Sequence, residues 1–178
     1  MTESRRLLQH FLAALAYRTQ KALRGAPLEF FQFAAGSFAR TPHELLWHMT
    51  GVLGYARTMF HGGKFAPPRL PSVQDEIDRF HQTLQLLSND FGDTSLTAQI
   101  SDEQFLQGPL SDAMTHAGQL AMLRRLAGAP VASEDFIFAA VDAANLTPEQ
   151  PEPRSPDAHW RPDRAPLPPG VFPSSESS

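Results

Sequence analysis

The sequence predicts an all-α protein: an antiparallel four-helix bundle with a short fifth helix and a proline-rich C-terminal tail. Three observations lead there. Apolar residues recur at helical spacing in four long stretches, each stretch carries a helix start or stop signal, and no segment alternates convincingly at period two. The long first connector argues against the simplest up-and-down order.

Residues 3–24 form the first expected helix, with Leu7, Leu8, Phe11, Leu12, Leu15 and Ala16 on one stripe and Gly25 and Pro27 as its stop. Residues 26–40 are rich in Phe and Gly without a clean period and read as a packed connector with room for a short helical turn. The second helix has the clearest start in the chain. Thr41 is the N-cap, Pro42 takes the first helical position and Glu44 completes a capping box. It should run to about His61 and end at Gly62-Gly63. Its stripe is Leu45, Val52, Ala56 and Met59, with Met49 and Leu53 alongside and His48 within it.

Residues 66–71, Ala-Pro-Pro-Arg-Leu-Pro, are a rigid link. Ser72 with Asp75 then opens a third helix that buries Ile77, Phe80, Leu84 and Leu87 and ends near Ser88. Residues 89–107 read as irregular. The fourth helix should begin near Gly108-Pro109, run to Ala127 and stop at Gly128-Ala129-Pro130, broadly apolar through Leu110, Met114, Ala117, Leu120, Ala121 and Leu123. Ser133 and Glu134 start the short fifth helix, expected to reach about Ala144.

These elements make residues 1–146 one domain and residues 147–178 a tail that holds nine of the 16 prolines. Such a tail has no regular structure. Its composition favours disorder, with an extended course anchored by Trp160 and Phe172 as the alternative.

Composition narrows the chemistry. With 178 residues the chain suits a single core, and 42% hydrophobic with 19% charged residues is ordinary for a globular protein. A net charge of -4 without a basic block gives no reason to expect nucleic acid or an anionic membrane as partner. Apolar runs such as residues 11–17 are too short to span a bilayer. The N-terminal residues lack the succession that marks a signal peptide, so the cytoplasm is the expected compartment. Cysteine is absent, which rules out disulfides, thiolate ligands, iron–sulfur clusters and a cysteine nucleophile. Any thiol used in catalysis must arrive on another molecule.

Two stretches carry the candidate site. Residues 41–48 put His48 on an apolar helical stripe, and residues 111–119 place Asp112 and His116 four apart on one helical face. Two imidazoles and a carboxylate converging inside a bundle would make a three-ligand metal site with open positions. A lone histidine in such a place is more often a hydrogen-bonded core residue. Asp112 also has a purely structural use, since a negative charge near a helix start complements the dipole. Spacing alone leaves the two readings balanced.

Several strings bear a resemblance to a known family: residues 42–54, Gly108-Pro109-Leu110 through Asp112, His116-Ala117-Gly118-Gln119-Leu120, Leu123-Arg124-Arg125-Leu126-Ala127-Gly128 and Pro130-Val131. Together they resemble the DinB-like superfamily, which includes the YfiT-like proteins and the mycothiol-dependent maleylpyruvate isomerases. The resemblance covers roughly residues 3–145 and gives the tail no counterpart. It implies a four-helix bundle holding a divalent metal (Zn, Ni or Fe) on three side chains, matched here by His48, Asp112 and His116. Most members have histidine at both later positions. Asp112 departs from that pattern and is similar to the isomerase branch, where an acidic residue stands first.

The remaining candidates rank lower. His43 is expected to be exposed, His61 to serve its helix C-terminus, and His10, His81 and His159 have no partner at ligand spacing. Arg124 and Arg125 read either as an anion clamp or, preferably, as cations complementing a helix end. Gln119 is a candidate to support His116 from behind, and Tyr55, two turns beyond His48, is either a ligand contact or a core tyrosine.

The resemblance implies a small-molecule substrate and a metal-dependent thiol S-transferase or thiol-cofactor isomerase, using a low-molecular-weight thiol. Hydrolysis by activated water is a variant of the same site. The alternative is a non-catalytic metal- or ligand-binding bundle of the stress- or damage-associated type, with a homodimer through exposed helix faces as one possible assembly.

Overall fold

A computed structural model describes residues 2–156, and among these the chain is helical, with no strand beyond a single bridge between Glu134 and Pro156. The long helices are α1 (Glu3–Leu23), α2 (Pro42–His61), α3 (Val73–Gly92) and, after a four-residue α4 (Asp102–Phe105), α5 (Ser111–Leu126). Both α1 and α2 pack against α3 and α5. Between them lies one core of Leu12, Leu15, Leu46, Met49, Leu53, Phe80, Leu84, Leu87 and Leu120, all closed to solvent. Among the described residues no helix is long and apolar enough to cross a membrane.

The start signals of α2 are satisfied as the sequence requires. The Glu44 N–H donates to Thr41 Oγ1 at 3.3 Å, and the Glu44 carboxylate accepts the Thr41 N–H at 3.0 Å. Gly62, with φ +72°, then ends the helix where a side chain would be strained. In α1, Leu7 is exposed and Phe11 only half-buried, so its buried face is shifted from the expected stripe: Leu8, Leu12, Leu15 and Ala16 stay on it and Ala13, Tyr17 and Gln20 join them. The connector after α1 forms a short 3-10 turn, Leu28–Gln32, that buries Phe30 and Phe31.

Three boundaries differ from expectation, each for a physical reason. Helix α3 continues four residues past Ser88, because Phe91 packs edge-on against the stacked pair Phe60 and Phe105 at ring separations of 5.7 and 5.1 Å. Asp90, in the stretch expected to be irregular, is buried but accepts from Arg57 Nε at 2.7 Å and pairs with His61 at 2.9 Å. The helical course before α5 also starts early. Ser101 and Gln104 form a second capping box that launches α4, and a wide turn, Leu106–Leu110, leads into α5. Gly108 (φ -94°, ψ -105°) leaves helical geometry there, just before Pro109, which has no N–H to offer.

The expected fifth helix is replaced by a single 3-10 turn, Phe136–Phe138. Asp and Asn side chains satisfy the local backbone instead: Asp135 accepts from the Ile137 N–H, Asp142 from Ala144 and Asn145 from Thr147. Such short-range bonds compete with helix formation. Residues 147–156 return to the helices. Arg24 pairs with Glu152 at 2.7 Å and donates to the Gln150 carbonyl, while Leu146 is buried and its carbonyl accepts from His81. Trp160, Phe172 and His159 fall outside the described residues.

Candidate metal centre

Helix α2 carries His48 two turns in from its capping box, and α5 packs on α2 with Asp112 and His116 on the facing side. Three residues far apart in sequence therefore meet. One ligand-type atom from each lies within 4.8 Å of the other two. The His116 Nε2 to Asp112 Oδ1 distance is 3.3 Å, the His48 Nε2 to Asp112 Oδ2 distance is 3.9 Å, and the two imidazoles stand nearly edge to face at 4.8 Å between ring centres. The group grades from core to solvent, with the His116, His48 and Asp112 side chains 10%, 31% and 49% exposed.

The proton positions follow from the partners. His116 Nδ1 faces Gln119 Oε1 at 2.8 Å, so the ring N–H donates to that carbonyl and Nε2 keeps its lone pair. Gln119 thus does what its spacing suggested. His48 is held below its ordinary pKa, first by burial, then by the positive charge of Arg40 and by His116, with Asp112 opposing. It is a neutral donor at pH 7.

Asp112 lies in the first turn of α5 but makes no side-chain cap hydrogen bond there. The Ser111 N–H already bonds back to the Leu106 and Gly108 carbonyls, and among the described residues no backbone N–H donates to the Asp112 carboxylate. The carboxylate faces the two imidazoles instead, 3.3 Å from His116 Nε2 and 3.9 Å from His48 Nε2, without a hydrogen bond of good geometry to either. In a neutral His116 ring, its oxygen and Nε2 meet lone pair to lone pair. Four donors at about 2.1 Å around a tetrahedral ion sit roughly 3.4 Å apart. The Asp112–His116 spacing matches that, and a separation at the 4.8 Å limit needs to contract by about 1.4 Å. A group with this composition and spacing can hold a metal ion.

No protein-family model, curated protein or solved structure matches this chain.

The chemistry of the three side chains therefore stands alone, and the surroundings sharpen it. His48 and Asp112 open onto a cleft of about 780 Å³ walled by Trp47, Tyr55, Phe65 and Pro109. Tyr55 is exposed and lines this cleft rather than the core. On the other side, His116 and Gln119 border a second cleft of about 550 Å³ with Arg40 on its wall. Sequence reasoning missed Arg40, Trp47 and Phe65. For Trp47 and Tyr55 a signal existed, since two large aromatics eight apart flank the exposed side of the His48 stripe.

The other histidines separate cleanly. His43 is buried, not exposed as expected. It sits in the first turn of α2, where burial and the charge of Arg69 on the 66–71 link lower its pKa. His81 is a satisfied core residue: Nδ1–H donates to the Leu146 carbonyl at 2.6 Å and Nε2 accepts from Gln20 at 2.8 Å. His61 joins Asp90, and His10 is exposed. Arg124 is no anion clamp. It is buried, donates from Nε to the Ala129 carbonyl at 2.7 Å just past the helix end, and lies over the Phe30 ring. Arg125 is exposed and donates to Ser133 Oγ.

Proposed function

We propose that His48, Asp112 and His116 bind a divalent cation in an antiparallel four-helix bundle of the DinB-like type, and that the protein is a metal-dependent enzyme acting with a low-molecular-weight thiol. One observation carries the metal reading. A His116 ring whose Nδ1–H is already committed to Gln119 turns the bare Nε2 toward a carboxylate at 3.3 Å. Two facing lone pairs repel unless a cation or a proton lies between them, and neutral His48 supplies the third donor from the same side.

Three protein ligands leave coordination positions free on the cleft side, and a Zn, Ni or Fe ion there supplies Lewis-acid activation of a thiol or a water. The chain's own groups do the rest. Gln119 fixes the tautomer of His116, and the half-exposed Asp112 stands at the cleft mouth as the charge that balances the cation. With no cysteine in the chain, the nucleophilic sulfur comes from a thiol cosubstrate and the electrophile from a small molecule in the cleft. S-transfer and thiol-assisted isomerisation share this arrangement.

Elemental analysis of the purified protein should find about one equivalent of metal, and a chelator should lower its melting temperature because the ion binds only the folded form. His48→Ala and His116→Ala should lose the metal. Metal-dependent conjugation of a thiol to an electrophile, abolished by His48→Ala, supports the enzyme. A bound metal without such turnover favours a metal-binding bundle that is not an enzyme, and absence of both metal and chelator effect removes the whole reading.

A further inference from the structure

The segment that leaves α2 is fastened over the cleft at successive points. Trp47 Nε1–H donates to the Pro67 carbonyl at 2.9 Å, Arg79 donates to the Pro68 carbonyl at 3.0 Å, and the Leu70 N–H donates to the fully buried Glu76 carboxylate at 3.1 Å. Glu76 is in turn locked by Arg79 at 2.6 Å. Phe65, at the head of this strap, lays its ring directly on Gly54 of α2. A Cβ at position 54 would lie 2.1 to 2.5 Å from three of its ring carbons, so only glycine admits the ring. The notch therefore sets the far wall of the cleft, with Trp47, Tyr55 and Pro109 making its other flat surfaces. Trp47 and Tyr55 stand partly open to solvent at 36% and 58%. The lining is mainly apolar, and among the described residues no lysine or arginine lines it; its charge-bearing groups are His48 and Asp112 at one end.

We infer that this cleft is a preformed site for an uncharged aromatic group, and that Gly54, by seating Phe65, is the residue that determines its shape. Flat apolar walls reward a planar ring through stacking and edge contacts. With no lysine or arginine among the described residues that wall it, the cleft offers no cationic side chain to an anionic group away from the His48–Asp112 end. The ring would lie beside His48 and Asp112, so the electrophile of the proposed reaction is an aryl compound. That last clause rests on the metal reading, whereas the binding itself does not.

The test uses the full chain with Trp160→Phe as background, so that the fluorescence comes from Trp47, the other of the two tryptophans. Titration with 1,3-dinitrobenzene should quench it saturably, while acrylamide quenches it linearly. Phe65→Ala and Gly54→Ala should each weaken binding roughly three- to tenfold. The double variant should be no weaker than Phe65→Ala alone, because the glycine acts through the ring. Linear quenching by the arene, or Phe65→Ala binding as tightly as its parent, overturns the inference. If Gly54→Ala does not fold, shown by circular dichroism, Phe65→Ala at its half-buried position carries the test. Repeating the titration on chelator-treated protein and on His48→Ala separates the two readings. Saturable quenching in a protein that binds no metal keeps the aryl site and discards the metal.

Discussion

Gln119→Leu is the most informative substitution, because it alters the metal centre without touching a ligand. In the native chain the His116 Nδ1–H donates to Gln119 Oε1 at 2.8 Å, which leaves Nε2 free to face Asp112. Leucine is close to glutamine in size and Gln119 is only half-buried, so packing should survive. The imidazole then has two choices. It keeps the proton on Nδ1 without an acceptor, or it moves the proton to Nε2 and occupies the position a cation needs. Returning it to the binding tautomer leaves a donor unsatisfied in a largely buried ring, which costs about 1–3 kcal/mol. That corresponds to roughly 5- to 150-fold in affinity, consistent with the 10- to 100-fold usual for partners behind a ligand. Competition against a chromophoric chelator at pH 7 measures it. Gln119→Glu, which keeps an acceptor, should bind at least as tightly as the parent. Unchanged affinity in Gln119→Leu, alongside loss in His116→Ala, would show that the Nδ1 bond does not set the tautomer. Unchanged affinity in His116→Ala would remove His116 from the site.

Three further outcomes follow from the fold. Thr41→Ala removes the side-chain acceptor of the capping box and should cost about 1 kcal/mol in denaturant unfolding without altering metal content. Phe91→Ala empties the centre of the Phe60–Phe91–Phe105 cluster and should cost about 3–5 kcal/mol, read as a lower urea midpoint at unchanged slope. Burial holds His81 below its ordinary value of 6.5, and His43 and His48 move the same way. The unfolded chain then takes up protons near pH 6.5 that the folded chain refuses, so this contribution to stability is complete above that pH and declines as pH falls below it. Urea midpoints between pH 7.5 and 5 should show the decline, and His81→Phe should shrink its slope without abolishing it.

The parts of this structure legible in the sequence are those set by local chemistry. Thr41, Pro42 and Glu44 name a helix start by side chain alone, and His48, Asp112 and His116 share faces that helical periodicity dictates. What was not legible depends on distant partners. Asp90 and Phe91 fall in the stretch read as irregular, and only Arg57 and His61 from another helix, and the Phe60 and Phe105 rings packed on Phe91, extend the helix through them. His43 looks exposed on a helical wheel, but it is buried in the fold. The missing fifth helix has the opposite cause: Ser133 and Glu134 suggested a start, while the Asp and Asn side chains that take over its backbone were present in the sequence all along.

The position of Asp112 shows how backbone geometry decides a question that residue type leaves open. A carboxylate in the first turn of a helix has a sufficient use as a cap, provided the helix begins there with free N–H groups. Here no backbone N–H among the described residues donates to the Asp112 carboxylate, and the wide turn from Leu106 to Leu110 supplies carbonyls to the Ser111 N–H. Gly108 and Pro109 set the break that starts α5 and thereby bring its first turn against α2 at the level of His48. The glycine–proline pair, which in the sequence looks like an ordinary helix start, brings the Asp112 carboxylate beside the two imidazoles. A carboxylate kept from its helix and aimed at two imidazoles is costly unless a cation or a proton stands between them. That cost makes the metal the simpler account of why Asp112 points where it does.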